Sequence, residues 1–139
     1  MIAVDSSVIV AGLLSWHEFH DRASRALGKA MAGGILLIPL PALVESYSVM
    51  TRLPAPYRLA PEIAHRLLHD SFGEGRIVAL SPRKAWAFLG ECVAGATVGG
   101  GVYDAVIAHA ALEGRAQELL TFNPRHFETF ADRIAIVVP

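Results

Sequence analysis

Five short, almost unbroken apolar runs constrain the fold of this chain more than any other feature. They are Met1–Val4, Ile35–Ile38, Arg76–Leu80, Glu118–Thr121 and Ile134–Val138. A strand with one face in water alternates apolar with polar residues, whereas a strand covered on both faces does not. The stretches between the runs carry helical spacing instead. Over His17–Ala32, residues Phe19, Ala23, Ala26, Leu27, Ala30 and Met31 share one face, Asp21 and Arg25 pair at i,i+4, and Gly33-Gly34 stops the helix. Ser6 and Ser7 can cap a helix over Val8–Leu14. Pro41 opens a helix to about Leu53 with Leu43, Tyr47 and Met50 inward, and Glu62–Phe72 forms another with Glu62 paired to Arg66. Ser81-Pro82 starts a helix running to about Ala94, Val102–Leu112 forms the next, and Asn123-Pro124 caps a short turn through Phe127. Strands alternating with helices predict an α/β fold: a three-layer sandwich with a short parallel sheet of about five strands and helices on both faces. No linker or repeat divides the chain, so residues 1–139 are expected to form one domain.

Composition removes several classes. Hydrophobic residues make up 53% and charged residues 18%, which excludes intrinsic disorder and leaves apolar surface for a partner or a second copy. The net charge of −1 excludes a polycation that coats nucleic acid without selectivity. The single cysteine, Cys92, permits no internal disulfide and no cysteine-based zinc site, and reads as a small buried residue. The longest apolar run, Ile35–Val44, is about half a membrane span and is broken by Pro39 and Pro41. With no basic leader at the N-terminus, a cytoplasmic protein is expected.

In open parallel sheets, ligands bind outside the carboxyl ends of the strands. Asp5 ends the first apolar run and Asn123 follows the fourth by two residues. Glu45 and Asp104 each sit near a helix start, in Pro41-Ala42-Leu43-Val44-Glu45-Ser46 and in Gly99-Gly100-Gly101-Val102-Tyr103-Asp104. Taken singly, each has a plainer use. Asp5 and Asn123 are good helix caps, and the helix dipole favours any acid in a first turn. Brought to one rim, three carboxylates would repel one another and call for a hard divalent cation. Oxygen donors without His or Cys favour Mg²⁺ or Mn²⁺ over zinc.

Four stretches in this order carry a resemblance: Val4-Asp5-Ser6-Ser7-Val8, Pro41–Arg52, Val102–Ala111 and Leu120-Thr121-Phe122-Asn123-Pro124-Arg125-His126-Phe127. Together they resemble a PIN-domain ribonuclease of the VapC toxin type, over essentially the whole chain. The resemblance implies a PIN-like sandwich and cleavage of RNA to 5′-phosphate and 3′-hydroxyl ends. It implies Asp5, Glu45 and Asp104 as an acidic triad binding Mg²⁺ or Mn²⁺, with Ser7 and Thr121 as polar supports. Asn123 stands where many relatives carry a fourth aspartate, so one metal ion is expected rather than two. An antitoxin of VapB type covering a groove beside the site, and a homodimer, are implied as partners. Arg125, Arg52 and the Gly99–Gly101 amides are candidates for phosphate contact, against the plainer reading of solvated arginines.

Other patterns fall short. His17-Glu18-Phe19-His20 is one residue short of zinc-protease spacing, and His65 with His69 lacks a third ligand. His109 reads as a packed histidine, and Trp16 and Trp86 read as core or interface anchors rather than base-stacking platforms. No Gly-x-Ser-x-Gly elbow is present. A receiver-like domain would want a late lysine, and none follows Lys84. The competing reading is a PIN-like module that binds RNA or protein without cutting, for which Asn123 is the one support.

Overall fold

The computed structural model describes residues 1–139. Its strands are β1 (Ile2–Val4), β2 (Leu36–Pro39), β3 (Arg76–Val78), β4 (Glu118–Leu120) and β5 (Ala135–Val137). The helices are α1 (Ser6–Leu13), α2 (His20–Ala32), α3 (Leu40–Arg52), α4 (Pro61–Phe72), α5 (Ala85–Ala94) and α6 (Gly101–Glu113). Short 3₁₀ segments cover Pro82–Lys84 and Pro124–Phe130. All strand pairings are parallel, as the unalternated apolar runs predict, and the strand order is β3-β2-β1-β4-β5. Ala3, Val4, Leu37, Ile38 and Leu119 are completely buried at the sheet's centre.

The chain runs outward from β1 through β2 to β3 on one side, then returns to place β4 against the other side of β1. That reversal opens a crevice at the carboxyl ends of β1 and β4, where the two flanking connections diverge. α6 lies against β2, β3, α3 and α5. Its residues Ala105, Ile107, Ala108, His109, Ala110 and Ala111 are buried nearly all round, and small side chains permit that close approach. At its end, a side chain on Gly114 would stand 2.8 Å from Val78 Cγ1 and 2.9 Å from Leu37 Cδ1, so any other residue there would have to displace those side chains from the sheet.

Several local expectations need correction. α1 starts at Ser6, because Asp5 rather than a serine caps it: the Asp5 carboxylate accepts from the Ser6 amide at 2.7 Å. α2 starts at His20, since His17 accepts a hydrogen bond from the Phe19 amide at 3.1 Å and holds a turn there. On α3 the inward stripe is Ala42, Ser46 and Met50, and Tyr47 faces solvent. The Ser46 hydroxyl is accommodated by donating to the Ala42 carbonyl at 2.7 Å. Arg25 donates to the Asp21 backbone oxygen at 3.1 Å instead of its carboxylate, and Glu62 and Arg66 form no ion pair. Trp16 and Trp86 are 48% and 83% exposed, so neither is a core anchor. His109 and Cys92 are buried as expected. No helix is long and apolar enough to cross a membrane.

Candidate active site

The cleft at the reversal point is built around Asp5. Its amide is tied to the Leu120 carbonyl at 2.9 Å and its side chain is 3% exposed, so both backbone and carboxylate are fixed by the sheet. Oδ1 accepts from the Ser6 amide, and Oδ2 accepts from the Ser7 hydroxyl at 2.6 Å and the Thr121 hydroxyl at 2.8 Å. Charge-assisted hydrogen bonds of this length are the strong class. The two hydroxyls also accept: Ser7 Oγ from the Phe122 amide at 3.0 Å, and Thr121 Oγ1 from the Asn123 amide at 2.9 Å. One network therefore fixes the first acid and the loop after β4 together.

Glu45 reaches the cleft from the second turn of α3. The Ser6 hydroxyl donates to Glu45 Oε2 at 2.7 Å and stands 3.3 Å from Asp5 Oδ1. A hydroxyl has one proton, so the shorter contact takes it. Asp104 enters from the first turn of α6, and its Oδ2 lies 3.3 Å from His126 Nδ1. Asp5, Ser6, Glu45, Gly100, Gly101, Asp104, Asn123 and His126 line an open cavity of about 510 Å³ with no hydrophobic residue.

Of the three acids facing the cavity, Asp104 has a perturbed titration. The Asp104 carboxyl is held above its ordinary value, first by burial and then by the charges of Asp5 and Glu45, while His126 pulls the other way. A larger hollow of about 810 Å³ includes His69, Asp70, Glu74 and Arg76. It opens where β2 and β3 begin, at the amino ends of the strands, opposite the crevice where parallel sheets bind ligands.

As they stand, no three His, Cys, Asp or Glu side chains are close enough together to ligate one ion. The donor set nonetheless fits a hard divalent cation in kind: every ligating candidate is a carboxylate oxygen, and the charges of Asp5 and Glu45 add to burial in raising Asp104. Asn123 lines the cavity, and its side chain makes no capping bond to the turn that follows. Arg125 is exposed and lies outside the lining, and Arg52 lines a neighbouring groove. Two cleft residues had no site role in the sequence reading: His126, and Ser6 as the partner of Glu45. The signal for His126 was its position three residues after Asn123 in a turn opened by Pro124, which returns it to the same side.

A family model described as the PIN domain matches residues 2–132. Ribonuclease VapC40 of Mycobacterium tuberculosis is 39% identical over 138 residues, covering 99% of this chain and 97% of that one. Ribonuclease VapC27 of the same species is 38% identical over 137 residues, covering 93% and 89%. Among solved structures, Mycobacterium tuberculosis VapC20, described as a sarcin–ricin loop cleaving toxin, superposes with a TM-score of 0.69 over 100% of both chains at 16% identity, a likeness of fold. Sheet order, the acidic crevice and near-full-length identity agree: the chain belongs to the PIN domain family, in its VapC branch.

Proposed function

We propose that the protein is an endoribonuclease of the VapC toxin type, hydrolysing RNA phosphodiester bonds with Mg²⁺ or Mn²⁺. The observation that carries this reading is the entry of Asp5, Glu45 and Asp104 from three separate elements into one cavity free of apolar side chains. Asp5 and Asp104 are the proposed principal holders of the ion, and Glu45 completes the shell and orients the attacking water. A bound divalent cation supplies water activation and neutralises charge on the phosphoryl oxygens. Ser7 and Thr121 hold the Asp5 carboxylate in place by donating to the same oxygen. Asn123 offers a neutral amide at the mouth for a water, which favours one ion over two.

Two surfaces suit protein partners. A groove of about 730 Å³ continues from the cleft through Glu45 and is lined by Leu40, Pro41, Val44, Tyr103 and Val106, among others. This is where we place the antitoxin segment, its apolar side chains in the groove and a basic one toward the acids. On α5, Trp86, Leu89 and Val93 form an outward stripe at i, i+3 and i+7, with exposures of 83%, 45% and 82%. That stripe suits a second copy, giving a homodimer.

The test is cleavage of mixed tRNA and rRNA by the purified protein with Mg²⁺, with Mn²⁺ and with EDTA, beside Asp5→Asn and Asp104→Asn. Metal-dependent cleavage lost in both folded variants is expected. Full activity in either variant would overturn the assignment. Metal binding without cleavage of any RNA would favour a module that binds but does not cut.

A further inference from the structure

Beyond the acids, the rim carries a ladder of rings that the function above does not use. Trp16 and Tyr57 are packed with centroids 4.4 Å apart and are 48% and 46% exposed. Trp16 leads to His17 at 6.0 Å, His17 to Phe19 at 5.8 Å, and Phe19 stacks on Phe122 at 4.6 Å. Phe122 immediately precedes Asn123 of the acidic cavity, and its amide donates to Ser7, the hydroxyl that holds Asp5. The ladder therefore leaves the catalytic network at one end and reaches solvent at the other.

A half-exposed aromatic pair is an unfavourable surface unless something covers it, and three features decide what. First, the inner end of the ladder adjoins the cleft, since Phe122 precedes Asn123 of its lining and its amide bonds to Ser7. Second, cations accompany the rings. The Arg22 guanidinium lies 5.5 Å from the centroids of both Phe19 and Phe122, and Arg58 follows Tyr57 with its Nε bonded to the Leu53 carbonyl at 2.8 Å. Arg22 gives one N–H to the Pro139 backbone oxygen at 2.7 Å, and four remain. Third, the cleft itself carries three acids and holds a phosphate only through a bound cation, so affinity for RNA has to come from outside it. Aromatic faces interleaved with arginines are the usual device for unpaired nucleotides, because every base has a face to stack.

We propose that Trp16 and Tyr57, with Arg22 and Arg58, form a stacking platform for unpaired bases of the RNA flanking the scissile bond. The proposal rests on the ribonuclease reading for its substrate. The platform holds the strand and contributes binding; chemistry stays in the acidic cleft. Because the stacks form in the ground state as well as the transition state, they act on KM and leave kcat unchanged.

Binding and cleavage are measured separately. In Trp86→Phe protein, Trp16 is the remaining tryptophan and its fluorescence reports on the platform directly. A ten-nucleotide unpaired RNA, titrated in EDTA to prevent cleavage, is expected to quench it. With end-labelled RNA, Trp16→Ala and Tyr57→Ala should each raise Kd about tenfold, within the range for one lost base–aromatic stack. Trp16→Phe, which keeps a ring, should recover most of the affinity. In cleavage assays with metal, KM should rise by a similar factor at constant kcat. Circular dichroism checks that each variant is folded; if Trp16→Ala unfolds, Trp16→Phe and Tyr57→Ala carry the test. Unchanged Kd and KM in the folded alanine variants of a protein that cleaves RNA would overturn the platform and leave the nuclease reading standing. RNA binding with quenching but no cleavage under any metal would remove the nuclease reading and keep the platform. If the alanine substitutions change the protein's oligomeric state and not its RNA affinity, the face belongs to a protein contact and the proposal fails.

Discussion

Thr121→Val tests whether the hydroxyl network, and not packing alone, fixes Asp5. Thr121 is completely buried, and valine keeps its shape while replacing the hydroxyl with a methyl group. Two hydrogen bonds are lost: donation to the Asp5 carboxylate at 2.8 Å and acceptance from the Asn123 amide at 2.9 Å. A hydrogen bond to a charged group is worth about 1.5–3 kcal/mol, and an amide left without its partner adds about 1 kcal/mol. The expected loss is about 3 kcal/mol. At about 2.1 cal/mol/K per residue, unfolding this 139-residue chain gains about 0.3 kcal/mol/K of entropy near the midpoint, so Tm should fall by about 10 °C. Thr121→Ser is the control: it keeps the hydroxyl and loses one methyl, about 1 kcal/mol or about 3 °C. The assay is thermal unfolding followed by circular dichroism, with RNA cleavage measured well below both midpoints. Loss of an outer hydrogen bond to a metal-ligating carboxylate typically lowers activity 10–100-fold, so Thr121→Val should cleave at least tenfold more slowly. A valine variant melting within 2 °C of wild type, or a serine variant as unstable as valine, would refute the argument.

Two further predictions follow from charge. The folded chain holds the Asp104 proton more tightly than the unfolded chain, because burial foremost, then Asp5 and Glu45, raise its pKa against the opposing His126. Its contribution is therefore most favourable at low pH and declines as pH rises through the raised folded value; Asp104→Asn should melt no lower than wild type at pH 7, while Mg²⁺ should raise the wild-type Tm more than that of the variant, as scanning calorimetry would show. His109 behaves oppositely: burial lowers its pKa below 6.5, with Arg133 adding and Glu91 at 2.9 Å opposing. The unfolded chain takes up that proton first, so stability should fall as pH drops from about 6.5 through the lower folded value; Tm measured between pH 7.5 and 5 should slope in wild type and flatten in His109→Gln.

The central strands were legible because burial on both faces removes alternation, a signal that survives in runs as short as Met1–Val4; the edge strands β3 and β5 are exposed or half-buried and kept their apolar runs without it. Parallel sense followed from the helical stretches between them, whereas the strand order came from the structure alone. The acids were legible as positions on strand ends and helix starts, and family likeness gave them their joint meaning. Periodicity failed where polar contacts overrode it. Ser46 is inside because it bonds back to Ala42, and Tyr47 is outside, although hydropathy ranks them the other way. Ser6 and Ser7 looked like caps because serine commonly caps; Asp5 took the cap, and the freed hydroxyls turned to carboxylates 2 and 39 positions away. Such long-range partners leave no mark in local spacing. For Trp16 the sequence left core and interface roles open, and the turn between α1 and α2 removes the first by placing it on the surface against Tyr57.

The three acids differ in how firmly the fold holds them, and that difference bears on how the cleft works. Asp5 is tied by its own amide, by the Ser6 amide and by two hydroxyls, so moving it would disturb both β1 and the loop after β4. Glu45 is tied by one serine hydroxyl, and Asp104 faces an exposed histidine at 3.3 Å. On the proposed reading, a cation entering the cleft would meet one firmly tied carboxylate, Asp5, and two held by fewer contacts, Glu45 and Asp104, which would have to move toward it to share one ion.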